Sequence, residues 1–132
     1  MKYVYPAVFR READGRYFIF FPDIESAATQ GNDTLDGMEM AEDALCLALY
    51  DMEQEGETIP PPSDIKSLEL ESEDFATLIS ADTEYYRRFN EQKLIKKTLN
   101  IPSWLNAKAE AENINFSQIL QRALKEELQI AE

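Results

Sequence analysis

Two runs rich in aromatic and β-branched residues, Tyr3 to Arg11 and Tyr17 to Phe21, flank Asp14-Gly15, a dipeptide suited to a tight turn. The pattern predicts a β-hairpin. Pro22-Asp23 interrupts it, and Ser26 to Gln30 offers a short third strand ending at Gly31, which makes a three-stranded antiparallel meander. The period then changes. After Thr34, a candidate N-cap, apolar residues recur at Leu35, Met38, Ala41, Leu45, Ala48, Leu49 and Met52, as on one face of a helix. Asp36, Glu39, Glu42, Asp43 and Asp51 occupy the remainder. Gly56 and Pro60-Pro61-Pro62 end this helix and begin an extended connection. Phe75 to Ser80 reads as a fourth strand. Residues 83–92 are polar, helical or linker-like, and are assigned to a linker between a domain at 1–82 and another at 93–132.

The last stretch has a different texture. From Leu94 to Ile101, Ile95, Leu99 and Ile101 fall on one side of a strand and Lys96, Thr98 and Asn100 on the other, until Pro102 stops it. Ser103 can cap a helix from Trp104 to about Glu112. Asn113-Ile114-Asn115 is a turn, and Ser117 can cap a second helix with apolar positions Leu120, Ala123, Leu124 and Leu128. A strand followed by two helices in about 40 residues leaves ladder groups unpaired and little core, so a monomer of this unit is not expected to be stable. A second copy of the chain would pair the strand and enlarge the core. A helix-turn-helix competes for the two helices, with 113–115 as its turn, but the preceding strand and the missing third helix argue against it.

Charge sharpens the division. The 132 residues carry 26 acids and 13 bases, a formal charge of −13, which spread evenly would repel nucleic acid. It is not even. Residues 32–74 hold fourteen acids against Lys66, whereas residues 93–132 hold six bases and five acids, with Lys93, Lys96 and Lys97 close together. The acidic part would steer toward a basic protein, and any DNA contact must be local to the final unit.

The C-terminal order resembles the ribbon-helix-helix family of DNA-binding proteins. Lys96-Lys97-Thr98-Leu99-Asn100-Ile101-Pro102, the helix after it and Asn115-Phe116-Ser117 carry that likeness. The resemblance implies a homodimer whose paired strands enter the major groove of operator double-stranded DNA, with Lys96, Thr98 and Asn100 toward the bases. Phosphate would meet the start of the last helix at Phe116, Ser117 and Gln118, and Lys97 nearby. Lys97 stands where that family usually has an apolar residue. The plain alternative is an edge strand with solvated lysines.

The N-terminal part resembles the antitoxins of the HicB family. Tyr3-Val4-Tyr5-Pro6-Ala7-Val8-Phe9, Tyr17 to Ile24, Ala28-Thr29-Gln30-Gly31, Ile59 to Ser63 and Asp82 to Arg88 carry it by their order and spacing. The implied fold is α+β, with an N-terminal partial RNase H-like domain followed by the ribbon-helix-helix dimerisation domain. The implied partner is a small basic toxin of the HicA type that cleaves mRNA, masked by the first domain. Candidate contacts are Asp36, Glu39 and Asp43 on the helix and Asp23 and Glu25 on the loop after the second strand. A charged helix exterior is also, more simply, a solvated face.

Catalysis is not expected. Histidine is absent, which removes histidine general acid/base work and metal ligation, and the single cysteine, Cys46, reads as a small buried residue. Two-metal hydrolysis needs converging carboxylates, and Tyr3 to Arg11 contains none. Gly15, Gly31, Gly37 and Gly56 do not cluster into a phosphate loop. No metal or cofactor is expected, nor is a membrane partner, and the chain reads as cytoplasmic. The expectation is an antitoxin and autorepressor that could assemble beyond a dimer. Its rival is a stand-alone ribbon-helix-helix transcription factor with an N-terminal small-molecule sensor.

Overall fold

The computed structural model describes residues 1–130. Two compact units emerge, Met1–Lys93 and Leu94–Glu132. The first contains β1 (Lys2–Arg11), β2 (Tyr17–Phe21), β3 (Ile24–Gly31), α1 (Thr34–Glu55), a 3-10 turn (Ile65–Ser67), β4 (Phe75–Asp82) and α2 (Thr83–Asn90). The strands form one antiparallel sheet in the order β3-β2-β1-β4.

Alternation along the strands builds the core. Tyr5, Ala7 and Phe9 of β1 join Ile19 and Phe21 of β2 and Ile79 and Ala81 of β4 in a buried cluster closed by Ala41, Leu45, Ala48 and Leu49 of α1. The hairpin loop is five residues rather than a two-residue turn. Gly15 takes φ 87°, and the Glu12 N–H donates to the Arg16 carbonyl at 2.8 Å. At the other end of β3, α1 lands so closely that a Cβ on Gly31 would lie 2.4 Å from the Gly37 Cα. The two glycines that looked scattered in the sequence make this contact together.

Several local expectations change. Asp33, not Thr34, caps α1: its carboxylate accepts the Asp36 N–H at 2.8 Å, and the Asp36 carboxylate accepts the Asn32 N–H at 2.8 Å. A carboxylate one residue earlier satisfies an end N–H and favours the positive end of the helix dipole. Leu35, counted on the apolar face, is 71% exposed because it precedes the first contact with the sheet. The linker expected over 83–92 is instead largely α2, capped by Asp82 through the Glu84 N–H at 3.0 Å and docked on α1 by the Tyr50–Tyr86 ring contact.

In the second unit, residues 94–101 have no regular secondary structure, and α3 (Ser103–Ala111) and α4 (Phe116–Glu127) follow. A strand is defined by its partner, and this segment has none among the described residues of the chain. Ser103 lies already inside α3, whose cap position is Pro102 without a side-chain bond. Ser117 likewise lies inside α4, and Asn115 is the cap, accepting the Gln118 N–H at 3.1 Å. Asn113 turns the chain with φ 54°. Neither helix buries a residue.

Candidate functional site

Carboxylates in the first unit divide into those held by the fold and those left to solvent. Glu53, on the inner side of α1, accepts the Tyr3 hydroxyl at 2.6 Å and the Thr83 hydroxyl at 3.0 Å and faces Arg87 at 3.7 Å. Burial, then the bond to Glu53, pushes the Tyr3 phenol up to about 12, so it stays a neutral donor. Asp74 accepts from two of the Arg10 guanidinium nitrogens, Nε at 3.2 Å and Nη2 at 2.9 Å, and its carboxyl is lowered mainly by that pairing. Arg10 also lies over the Phe20 ring, 5.2 Å from its centre. These groups knit β1, α1, α2 and the approach to β4.

The expected toxin contacts separate on the same criterion. Asp23 accepts the backbone N–H of Ser63 at 2.9 Å and also its hydroxyl, anchoring the proline-rich connection to the β2–β3 turn. Asp36 is occupied in the α1 cap. Glu25 on β3 and Glu39 and Asp43 on α1 are exposed, and among the described residues they have no ion pair or side-chain hydrogen bond. Their spacing places Glu39 and Asp43 one turn apart on the outer face of α1.

In the second unit an open groove of about 620 Å³ runs between the extended segment and the helices. Lys97, Leu99 and Ile101 line it from the segment, with Leu105 of α3 and Ile119 and Leu120 of α4 opposite. Lys96, Thr98 and Asn100 alternate with these, are absent from the lining and are exposed. Phe116, Ser117 and Gln118 sit together at the start of α4. The Gln118 N–H is already taken by Asn115, which leaves those of Phe116 and Ser117 at that terminus.

No group of three or more Cys, Asp or Glu side chains is arranged to hold a metal ion among the described residues. Cys46 is buried, donates to the Asp82 carbonyl at 3.3 Å and has its thiol raised by burial. No helix among the described residues is long and apolar enough to cross a membrane.

Most of β1, all of β2, β3 and α1, and the acidic residues 32–74 fall in the region where a family model, the HicB-like antitoxin of bacterial toxin–antitoxin systems, matches residues 4–75. The chain belongs to the HicB-like antitoxin family. Antitoxin HicB 1 of Photorhabdus laumondii is 39% identical over 61 residues, covering 46% of this chain and 39% of that protein. Antitoxin HicB of Escherichia coli K12 is 38% identical over 63 residues, covering 48% and 46%. The chain thus matches less than half the length of these curated relatives. A chain of a toxin–antitoxin complex from Streptococcus pneumoniae superposes with TM-score 0.62 and 31% identity over 96% of this chain and 99% of that one. The Burkholderia pseudomallei antitoxin HicB shares the fold, with TM-score 0.54 and 18% identity over 96% and 98%.

The HicB-like match ends at Phe75. Beyond it, α2 carries two exposed aromatics, Tyr85 and Phe89, that the linker reading passed over. Their spacing of four, with Tyr86 and Asn90 one residue on, is an amphipathic helical signal that could have revealed them.

Proposed function

We propose that this chain is an antitoxin that binds and masks a small basic mRNA-cleaving toxin of the HicA type through its first unit. As a homodimer through residues 93–132 it would bind operator double-stranded DNA and repress its own operon. The observation that carries the toxin half is the confinement of charge: fourteen acids and one base fill residues 32–74. An RNA-cleaving protein needs a cationic surface, and a field of opposite sign accelerates encounter and competes with RNA for it. That the pneumococcal relative comes from a toxin–antitoxin complex supports a toxin partner.

The element order of the first unit, three-stranded meander, helix and fourth strand beside the first, supports its reading as an incomplete RNase H-like fold. With no acid on the strand segment Tyr3 to Phe9, it serves as a binding scaffold rather than a nuclease. The open groove and unpaired segment of the second unit support ribbon-helix-helix dimerisation. Lys96, Thr98 and Asn100 are then the base-reading set, and Lys97, Phe116 and Ser117 the phosphate set, with Gln118 contributing its side chain. Because the family match spans most of the first unit, a small-molecule sensor there is the less favoured reading. Where a neighbouring gene encodes a small basic protein of the HicA type, its co-expression with the tagged chain should yield a stable complex. Failure of the two to co-purify would remove the proposed function.

A further inference from the structure

α2 uses one face to dock and leaves another bare. Tyr86 packs on Tyr50 at 5.0 Å, while Tyr85 and Phe89, 6.2 Å apart, remain 63% and 69% exposed. The outer face of α1 runs beside them. Asp36, Met40, Asp43 and Leu47 follow one another there at helical spacing, with Met40 39% and Leu47 46% exposed. Between the helices lies an open cleft of about 450 Å³ lined by Asp43, Leu47, Tyr85, Tyr86, Phe89 and Asn90.

Exposed aromatics grouped with aliphatic residues are costly to leave in water and are the side chains that anchor protein interfaces. The acids beside them decide the sign of the occupant. Glu39 and Asp43 have no partner among the described residues, whereas the nearby cation Arg87 faces Glu53 and lies over Tyr50. Asp43 is the charged residue that lines the cleft; Glu39, one turn before it on α1, and Arg88 are exposed outside the lining. A second copy would bring two such acidic faces together, and DNA would be repelled. From Asp36 to Leu47 the α1 ridge is about 16 Å long, the length of roughly three helical turns.

We infer that the α1–α2 cleft is where the toxin anchors, taking an amphipathic cationic helix whose apolar side meets Leu47, Tyr85 and Phe89 and whose Lys or Arg residues pair with Glu39 and Asp43. The inference rests on the antitoxin reading and adds to it the apolar half of the contact. Charge supplies rate and orientation, and the aromatic floor supplies residence time.

The test uses the 132-residue chain and a small basic toxin of the HicA type, with association followed by surface-based kinetics. Tyr85→Ser with Phe89→Ser should raise Kd about thirtyfold or more, mainly through faster dissociation. Glu39→Lys with Asp43→Lys should slow association about tenfold or more at low salt, an effect that shrinks as salt rises. Val4→Ser with Leu78→Ser, on side chains exposed elsewhere on the sheet, should bind like the parent. Far-UV ellipticity and urea midpoints equal to the parent's verify folding of each variant. Parent-like binding by the Tyr85/Phe89 variant would overturn the inference and leave the antitoxin reading standing. Absence of binding by the parent itself would remove both. A fall in the mass of the free protein on the Tyr85/Phe89 change would assign the cleft to a second copy, and the inference would again fail.

Discussion

Ile101→Ala offers a direct test of the proposed second-unit dimer. In the single chain Ile101 is 45% exposed and lines the groove with Leu99. The substitution removes three carbons, worth about 2.4 kcal/mol if the side chain becomes fully buried, at about 0.8 kcal/mol per carbon. A symmetric dimer counts the site twice, so the two chains together should lose about 5 kcal/mol. At 1.4 kcal/mol per decade, the dissociation constant should rise about three thousandfold. If the unit were stable alone, only the hidden part of the side chain would matter, and the loss would be about 1.3 kcal/mol. Trp104, the only tryptophan, lies on α3 and makes its fluorescence a reporter of this unit within the intact protein. For the parent, its urea midpoint should rise with protein concentration, as mass action requires when folding and association are coupled. For Ile101→Ala, the concentration needed to reach the same midpoint should be far higher. A midpoint constant over a hundredfold range of parent concentration, with a variant loss near the smaller figure, would refute the dimer argument.

The remaining predictions address the fold and the proposed DNA contact. Gly31→Ala should lower stability by about 1 to 3 kcal/mol in urea followed by far-UV ellipticity, because the new methyl meets the Gly37 backbone rather than a movable side chain. An unchanged midpoint would show that α1 can lift off β3 freely. Asp74 has a lowered carboxyl in the folded chain, so its stabilising contribution is fully present above its ordinary titration range and is lost as pH falls through the lowered folded value. The stability gap between the parent and Asp74→Asn should therefore be constant near neutrality and close in acid; a gap that widened in acid would contradict this sign. Asn100→Ala should cost about 1 to 3 kcal/mol at a specific operator with little effect on non-specific DNA, whereas Lys96→Ala should also reduce the salt slope by about one. Gel-shift titrations across salt concentrations check both.

The elements that the sequence disclosed most clearly are those with a local periodic signal. β1 and β2 were legible as runs of aromatic and β-branched residues and α1 by its 3.6-residue period, although its buried side loses Leu35 and gains Gly37 and Cys46. The caps were less legible. Asp33 and Thr34, or Asn115 and Ser117, offer equivalent oxygens within two residues, and only the final backbone geometry chooses between them. Residues 83–92 were left between helix and linker because their polar sequence does not reveal that Tyr86 meets Tyr50, a residue 36 positions earlier. The pairing of Gly31 with Gly37 was likewise invisible, since close approach of two backbones leaves no mark on either residue alone. For the candidate site, composition could identify an acidic helix but could not distinguish Asp23 and Asp36, occupied within the fold, from Glu39 and Asp43, which have no ion pair or side-chain hydrogen bond among the described residues.

That distinction limits what charge alone can explain. Fourteen acids make a strong field, but a surface ion pair in water contributes little to affinity because screening and side-chain entropy offset most of the Coulomb energy. A toxin held only by such pairs would arrive fast and leave fast, and its RNA substrate, itself a polyanion, would compete on equal terms. Lasting inhibition requires contacts that RNA phosphates cannot imitate. Exposed Tyr85, Phe89 and Leu47 are of that kind, because apolar surface is buried against a protein with a stabilisation that salt does not screen. On this view the acidic face selects a cationic partner and the aromatic cleft retains it, so raising salt should slow formation of the complex much more than it hastens decay. If dissociation accelerated with salt as steeply as association slowed, retention would be electrostatic, and the aromatic residues would have no part in it.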